Sequence, residues 1–396
     1  MVSTAHPPLL RVRRFGRGNS PVQASQVVGL GATKLYVAIH PLQGGSAGEQ
    51  AGELYRHLGA FLREQGAGPQ DVITEKVFFS DLEAQFEDFG RERAAFYGPR
   101  AEPATTYLGQ PPCRPGAWCE LQARVIFANG ADPLVVRPLH ADLGQGTGRV
   151  VSYRDYDHFF LHNVTGEAGP FPVQAGQVFS RAAAALNQEE LRFADTIRTW
   201  IYLPQMERDY AALNQVRSAF FARQGVQRLP ASTGIEGGVW PAGRRMAMDL
   251  YTLRAARPVR IEQLHADTMN EAPAYGSAFS RGLAVTREDR KVVYISGTAS
   301  IDEQGQVLHV GDIEGQAHRM LTNVEGLLES AGAGLSDVVR ATTYLKRPED
   351  CDCLTRVYAR RGLPRDIPHT ICRAAVCRPE WLCELEVAAI FDPAGR

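Results

Sequence analysis

One pattern of strands and helices occurs three times along the 396 residues, and this repetition constrains the fold more than any other feature. A repeated supersecondary unit cannot bury its apolar face alone, so the copies must stack on one another. In the last copy the run Val292-Val293-Tyr294-Ile295-Ser296-Gly297 predicts a strand entering a glycine turn. A helix follows over 316–328, its apolar residues recurring at three and four, and Ala331-Gly332-Ala333-Gly334 stops it. Residues 337–345 predict a strand, 354–359 a second helix and 383–390 a closing strand. The first copy runs in the same order: a strand over 34–39, a helix opening at Gln50 with Leu54, Leu58 and Leu62 on one side, and a strand over 71–79. A helix with Phe86, Phe89 and Phe96 and a strand over 119–127 complete it. The middle copy has a strand over 158–164, a helix from Gln177, a strand over 195–203, a helix through Tyr210, Leu213, Val216 and Phe220, and a strand over 246–251.

Spacing supports true repetition. From helix-opening Gln to strand-opening Asp the offsets are 21 residues for Gln50 and Asp71, 18 for Gln177 and Asp195, and 21 for Gln316 and Asp337. The segment Cys113-Arg114-Pro115-Gly116-Ala117-Trp118-Cys119-Glu120-Leu121-Gln122 matches Cys377-Arg378-Pro379-Glu380-Trp381-Leu382-Cys383-Glu384-Leu385-Glu386 at six of ten positions. The expectation is an α/β (α+β) chain of three β-α-β-α-β units over 1–130, 149–254 and 281–396, joined by linkers 131–148 and 255–280. Sheets covered on one face by helices would pack their other faces together as a pseudo-trimer.

Composition narrows the function. With 43 Lys+Arg against 44 Asp+Glu there is no basic field for nucleic acid or anionic membrane. No stretch reaches the ~18 apolar residues of a membrane helix, and Met1 to Pro8 has no signal-peptide core. Seven cysteines without a CxxC pair suit a reduced, cytoplasmic protein, monomeric or a small homo-oligomer. Cys351-Asp352-Cys353 is too tight for a zinc knuckle and no HExxH occurs, so no metal or other cofactor is expected.

The third copy resembles the Rid (YjgF) family, through Ser296-Gly297, Gly311-Asp312-Ile313, Gln316, Asn323, Ala331-Gly332 and Glu384-Leu385-Glu386. That resemblance implies sites in the clefts between adjacent units. It also implies a substrate-holding Arg in a Pro-Ala-Arg-Ser segment for imine and enamine deaminases. Here the segments read Pro103-Ala104-Thr105, Pro230-Ala231-Ser232 and Pro368-His369-Thr370, without that Arg. From about Arg198 to Ile390 the chain is similar to the chorismatases. The stretches that carry this are Arg198-Thr199-Trp200-Ile201-Tyr202-Leu203, Pro230-Ala231-Ser232-Thr233-Gly234-Ile235, Tyr275-Gly276-Ser277-Ala278-Phe279-Ser280-Arg281 and Ser296-Gly297-Thr298-Ala299-Ser300-Ile301, with Cys377 to Glu384. This implies a cofactor-independent enzyme on a small anionic substrate, chorismate or a related cyclic enol ether, releasing pyruvate in secondary metabolism.

On that resemblance Glu384 is the general acid, and Glu120 and Asp249 hold the equivalent places in the other copies. Alternation puts Glu384 and Glu386 on one strand face. Arg198 and Arg281 are candidate carboxylate clamps. Tyr202, Tyr275 and Tyr344 are candidate pocket walls. Gly297, Thr298 and Ser300 form a turn offering N–H groups and hydroxyls to an anion or water. Cys377 is the residue that, in the family, accompanies the 3-hydroxybenzoate product. One cleft, lined by copy three and a neighbour, is expected to work, with the others narrowed by Trp118 or Trp240. The alternatives are a Rid-like deaminase, an amidohydrolase of the cyanuric acid hydrolase type, and a non-catalytic ligand-binding pseudo-trimer.

Overall fold

The computed structural model describes residues 10–394 apart from 17, 19, 100 and 101; the N-terminal stretch read above for a signal sequence lies outside the described residues. The first unit comprises β1 (Arg11–Phe15), β2 (Val22–Val28), β3 (Ala32–Ile39), α1 (Ala47–Glu64), β4 (Val72–Phe79), α2 (Leu82–Tyr97), β5 (Ala104–Gly109) and β6 (Cys119–Ala128). The second comprises β7 (Leu134–Leu139), β8 (Thr147–Tyr153), β9 (Tyr156–Thr165), α3 (Phe171–Gln188), β10 (Thr196–Leu203), α4 (Met206–Arg223), β11 (Ala231–Glu236), β12 (Gly238–Val239) and β13 (Ala247–Ala255). The third comprises β14 (Arg260–Gln263), β15 (Gly282–Thr286), β16 (Lys291–Thr298), α5 (Ile313–Ser330), β17 (Val338–Leu345), α6 (Cys351–Arg361), β18 (His369–Arg373) and β19 (Cys383–Phe391).

Strand order is the same in all three mixed sheets: β1-β2-β3-β6-β4-β5, β7-β8-β9-β13-β10-β11 and β14-β15-β16-β19-β17-β18. The chain is thus an α+β pseudo-trimer of three similar units. Each unit is larger than the expected β-α-β-α-β core, because two leading strands and one late strand join the sheet. The segments read as linkers carry some of these: β7 lies within 131–148 and β14 within 255–280. β14 is a short, mostly polar run, and β7 is broken by Arg137 and Pro138, so neither edge strand shows in a periodicity test. β12 leaves its own unit and pairs with β5 of the first, Gly238 opposite Gly109.

Alternation along the closing strands sorts the two faces. On β6, Leu121, Ala123 and Val125 pack under α1 and α2, while Gln122 and Arg124 face the other units. On β13, Met248 and Leu250 pack under α3 and α4, as does Met246 just before it, whereas Ala247, Tyr251 and Leu253 join the core between units. Each buried aliphatic residue of this kind contributes about 1.5–3 kcal/mol. Ser46 starts α1 with a capping box to Glu49, and Asp312 caps α5 through Gly315 N–H.

The repeat is tighter than the sequence suggested. Gln50, Gln174 and Gln316 each stand fourth in their helix, 21 residues before Asp71, Asp195 and Asp337. The middle equivalent is therefore Gln174, not Gln177. Pro172 sits in the first turn of α3, where proline is tolerated, so the helix starts earlier than its apolar period implies. Each glutamine makes the same clamp. Its Oε1 accepts from the backbone N–H of Trp118, Arg245 or Leu382, one or two residues before a closing strand.

A cyclic set of contacts closes the three units. Gln122, Asp249 and Glu386 hold equivalent positions, opposite Lys76, Trp200 and Thr342. Gln122 of unit one donates to Thr342 Oγ1 of unit three at 3.2 Å. Trp200 Nε1 of unit two donates to Glu386 of unit three at 2.9 and 3.0 Å. Lys76 Nζ of unit one meets Asp249 Oδ2 of unit two at 3.3 Å. No helix among the described residues is long and apolar enough to cross a membrane.

Candidate functional site

Glu384 is the second residue of β19, and alternation turns it toward unit two, into a narrow cleft with about 20 Å³ open to the centre of a water-sized sphere. One wall is β11 with Ser232 and α4 with Tyr210 and Arg217; the other includes Gly297, Ala299 and Trp381. The segment 255–280, read as a linker, supplies Tyr275 and Phe279 to the same wall, and Arg281 follows it. Close approach explains the glycine at 297. A Cβ there would lie 1.9 Å from Glu384 Oε1, so only glycine admits the carboxyl at this place.

Charge is distributed unevenly in this cleft. Glu384 is buried and makes no hydrogen bond or ion pair among the described residues. Burial, reinforced by the charge of Glu386, raises its pKa to about 8 against the pull of Arg281 and Arg198. Two buried guanidiniums share the pocket. Arg281 donates to Asn270 O at 2.9 Å and Asn270 Oδ1 at 3.2 Å, beside the rings of Tyr275 and Phe279. Arg217 donates to Asn214 Oδ1 at 2.7 Å, lies 5.6 Å from the Phe279 ring centre and leaves Nε without an acceptor. Among the described residues neither has a carboxylate within ion-pairing distance. Two buried cations facing a carboxyl held near neutrality leave a net positive pocket, which favours an anion.

The structure divides the expected site residues. Glu384, Arg281, Tyr275, Gly297 and Cys377 meet in this cleft. Burial, then Glu384, pushes the Cys377 thiol up to about 12, so it is neutral. Arg198 is not a free clamp: it is tied to Glu386 at 2.7 Å and to Thr233. Tyr202 lies at the interface of units one and two, its hydroxyl donating to Asp249 at 3.2 Å. Tyr344 is buried opposite Glu384 in the ladder and does not line the cleft. Thr298 and Ser300 turn their hydroxyls to Ser296 O and Leu308 O, so neither is offered to a ligand. Sequence reading missed Arg217 and Tyr210. They share one face of α4 with Leu213, and that helical spacing around an apolar stripe was the only signal.

The other two clefts differ. Register places Ala247, not Asp249, opposite Tyr202 as Glu384 stands opposite Tyr344 and Glu120 opposite Phe78. The unit-two cleft therefore lacks the acid, and Trp240 stacks there on Phe86 at 3.7 Å. Trp118 narrows nothing. It is 45% exposed, and the cleft at Glu120, between unit one and α6, is wider than the cleft at Glu384. There burial lifts the Glu120 pKa to about 7 against Arg114, whose Nε is 3.5 Å away. Its cations Arg114, Arg356 and Arg365 are exposed, so water screens them. Among the described residues no group of three His, Cys, Asp or Glu is arranged to hold a metal ion.

Comparison with known proteins bears on this geometry. The family model described as endoribonuclease L-PSP matches residues 269–391. The 3-aminoacrylate deaminase RutC of Acinetobacter baylyi is 31% identical over 99 residues, 25% of this chain and 78% of that protein. A crystal structure of a chorismatase superposes with a TM-score of 0.61 at 18% identity, over 81% of this chain and 93% of its own. RidA from the Antarctic bacterium Psychrobacter matches 33% of this chain and 99% of its own at 23% identity, with a TM-score of 0.28. The chorismatase likeness is one of fold.

Proposed function

Because this chain belongs to the Rid (endoribonuclease L-PSP) family, with three units closed in one polypeptide, we propose that the Glu384 cleft is the active site of a cofactor-independent hydrolase. Its substrate is a small dianionic enol ether of the chorismate type. The observation that carries this reading is an unpaired, buried Glu384, with a pKa of about 8, beside two buried guanidiniums without carboxylate partners.

In this mechanism Arg217 and Arg281 take one substrate carboxylate each, and the faces of Tyr275 and Phe279 hold the ring. Glu384 transfers its proton to the terminal methylene carbon of the enolpyruvyl group, leaving an oxocarbenium ion at the neighbouring carbon. Water adds to that carbon and returns a proton to Glu384. The hemiketal then collapses to pyruvate and a ring alcohol. Protonating carbon requires an acid that is still loaded near neutral pH, which burial and Glu386 provide. Cys377, a neutral thiol at the edge of the same cleft, stands at the offset where a Cys in the chorismatases accompanies an aromatic rather than a dihydrodiol product.

A deaminase reading draws on the RutC relative. It is disfavoured because Thr105, Ser232 and Thr370 stand where such enzymes place the substrate-holding Arg. Incubation with chorismate, followed by pyruvate assay and chromatography of the ring product, tests the proposal. Pyruvate formation that Glu384→Gln abolishes supports it. Absence of pyruvate together with ammonia release from 2-iminopropionate would replace it by the deaminase reading.

A further inference from the structure

We propose that a small inorganic anion, a halide or a tetrahedral oxyanion, occupies the narrow cavity between the three sheets, held by Arg124, Arg340 and Lys76. The cavity is small, with about 20 Å³ open to the centre of a water-sized sphere, and is lined by these three cations with Gln122, His162 and Trp200 among its other walls; no carboxylate lines it. All three units contribute to it.

The nearby carboxylates are already saturated. Asp249 is held by Lys76, Thr106, Tyr202 and the Asn163 N–H. Glu386 is held by Arg198, Trp200 and Thr233. Arg124 is buried, makes no hydrogen bond among the described residues, and its Nε has no acceptor. Arg340 lies 4.0 Å from Glu386 and 5.5 Å from the Trp200 ring centre, and makes no hydrogen bond through its side chain among the described residues. Both guanidiniums keep their protons inside a protein. The rings of Tyr36, Phe160 and Tyr251 stand 5.3, 5.0 and 5.8 Å from Arg124. Rings offer π density to a guanidinium, but its in-plane N–H groups still need acceptors. A second cavity with Tyr36 and Tyr251 in its wall adds Arg287 and Arg290 against Asp289, so the surplus positive charge extends beyond one side chain. Water supplies acceptors without supplying charge; an anion supplies both.

Divergence of the copies makes the site possible. Arg124 stands where the other units have Tyr251 and Ala388, and Arg340 stands where they have Thr74 and Arg198. Identical subunits would place three of each around the axis. One chain places a single arginine at the first position and two at the second, of which Arg198 is taken by Glu386.

The test begins with native protein exchanged into sodium gluconate buffer, whose anion is too large for the cavity. The protein is then denatured and the released ions are separated by ion chromatography. The expected result is about one equivalent of chloride, sulfate or phosphate per chain, lost in Arg124→Leu or, if that variant does not fold, in Arg340→Gln. Crystals of protein refolded in bromide or in selenate then locate the ion by anomalous scattering. A bromide peak within hydrogen-bond reach of Arg124 and Arg340 marks a halide site, and a selenate peak an oxyanion site. Release at the blank level, or a cavity with waters and no anomalous peak in either salt, overturns the proposal.

Discussion

Glu384 and Glu386 lie two positions apart on one strand face, and their surroundings drive them in opposite directions. Burial would raise both, but Arg198, Lys76 and Arg340 outweigh it at Glu386 and hold that carboxyl below its usual range. At Glu384 burial prevails. Glu384→Gln should therefore lower kcat by about 10²–10⁴-fold with little change in KM. Wild-type turnover should stay level up to about pH 8 and fall above it as Glu384 ionises. The stability sign follows from the same shift. The folded pKa is raised, so stability is full below the unfolded value of about 4.5 and declines as pH rises towards about 8. The Gln variant lacks this decline, so it should gain on the wild type by a few kcal/mol, in order of magnitude, between pH 5 and 9. Parallel urea midpoints across that range would sink the assignment. Arginines separate by their partners. Arg198→Met leaves Glu386 buried and should cost about 3–5 kcal/mol, whereas Arg217→Met should raise KM and leave the unfolding midpoint almost unmoved. Residue type alone marked Arg198 and Arg281 as equal candidates. The carboxylate that occupies Arg198 lies 188 residues away in sequence, and no local pattern reports it.

Elements repeat more faithfully than their sequences do. The glutamine clamp on each closing strand is built three times, but only Gln316 tethers the loop that carries Cys377 and Trp381 into the cleft, donating to Glu380 O at 2.9 Å and accepting from Leu382 N–H at 2.8 Å. Gln316→Ala and Gln50→Ala each remove buried hydrogen bonds and should each cost about 1–3 kcal/mol. Only Gln316→Ala should also lower kcat, and equal kinetic effects would contradict the placement of the site in unit three. Helix ends show the opposite kind of divergence. Gly66 and Gly332 follow the caps of α1 and α5 with φ of 73° and 78°, while Glu190 holds φ 58° at the same place after α3. A side chain in the left-handed region is strained, so Glu190→Gly should stabilise by about 0.5–1 kcal/mol, seen as a raised Tm. Glycine stops in units one and three made those helix ends legible in the sequence. Unit two lacks one and places Pro172 inside its helix, so its start was read too late.

Three units in one chain allow every position near the axis to hold a different side chain, which identical subunits forbid. The contacts Gln122–Thr342, Glu386–Trp200 and Asp249–Lys76 are one geometric contact written as amide–hydroxyl, carboxylate–indole and carboxylate–ammonium. The number of units and the closing segments were legible because they recur at fixed offsets. The fate of each cleft was not, because it depends on what the neighbouring unit inserts. Trp118 and Trp240 looked alike as obstructions, yet only Trp240 reaches a cleft, and it reaches the one whose acid position holds Ala247. A tryptophan can fill that cleft because no catalytic carboxyl needs the space. Trp240→Ala should therefore open a cavity without creating activity. It removes the 3.7 Å stack on Phe86, and because Trp240 is only partly buried the loss should fall at the low end of the ~3–5 kcal/mol of a core Trp→Ala change. With chorismate as substrate, kcat should equal that of the wild type, since the cleft proposed to work lies between units two and three. Calorimetry and steady-state kinetics on the one variant check both halves. A lower Tm with unchanged kcat is the expected pair; a fall in kcat at unchanged stability would place the working cleft between units one and two.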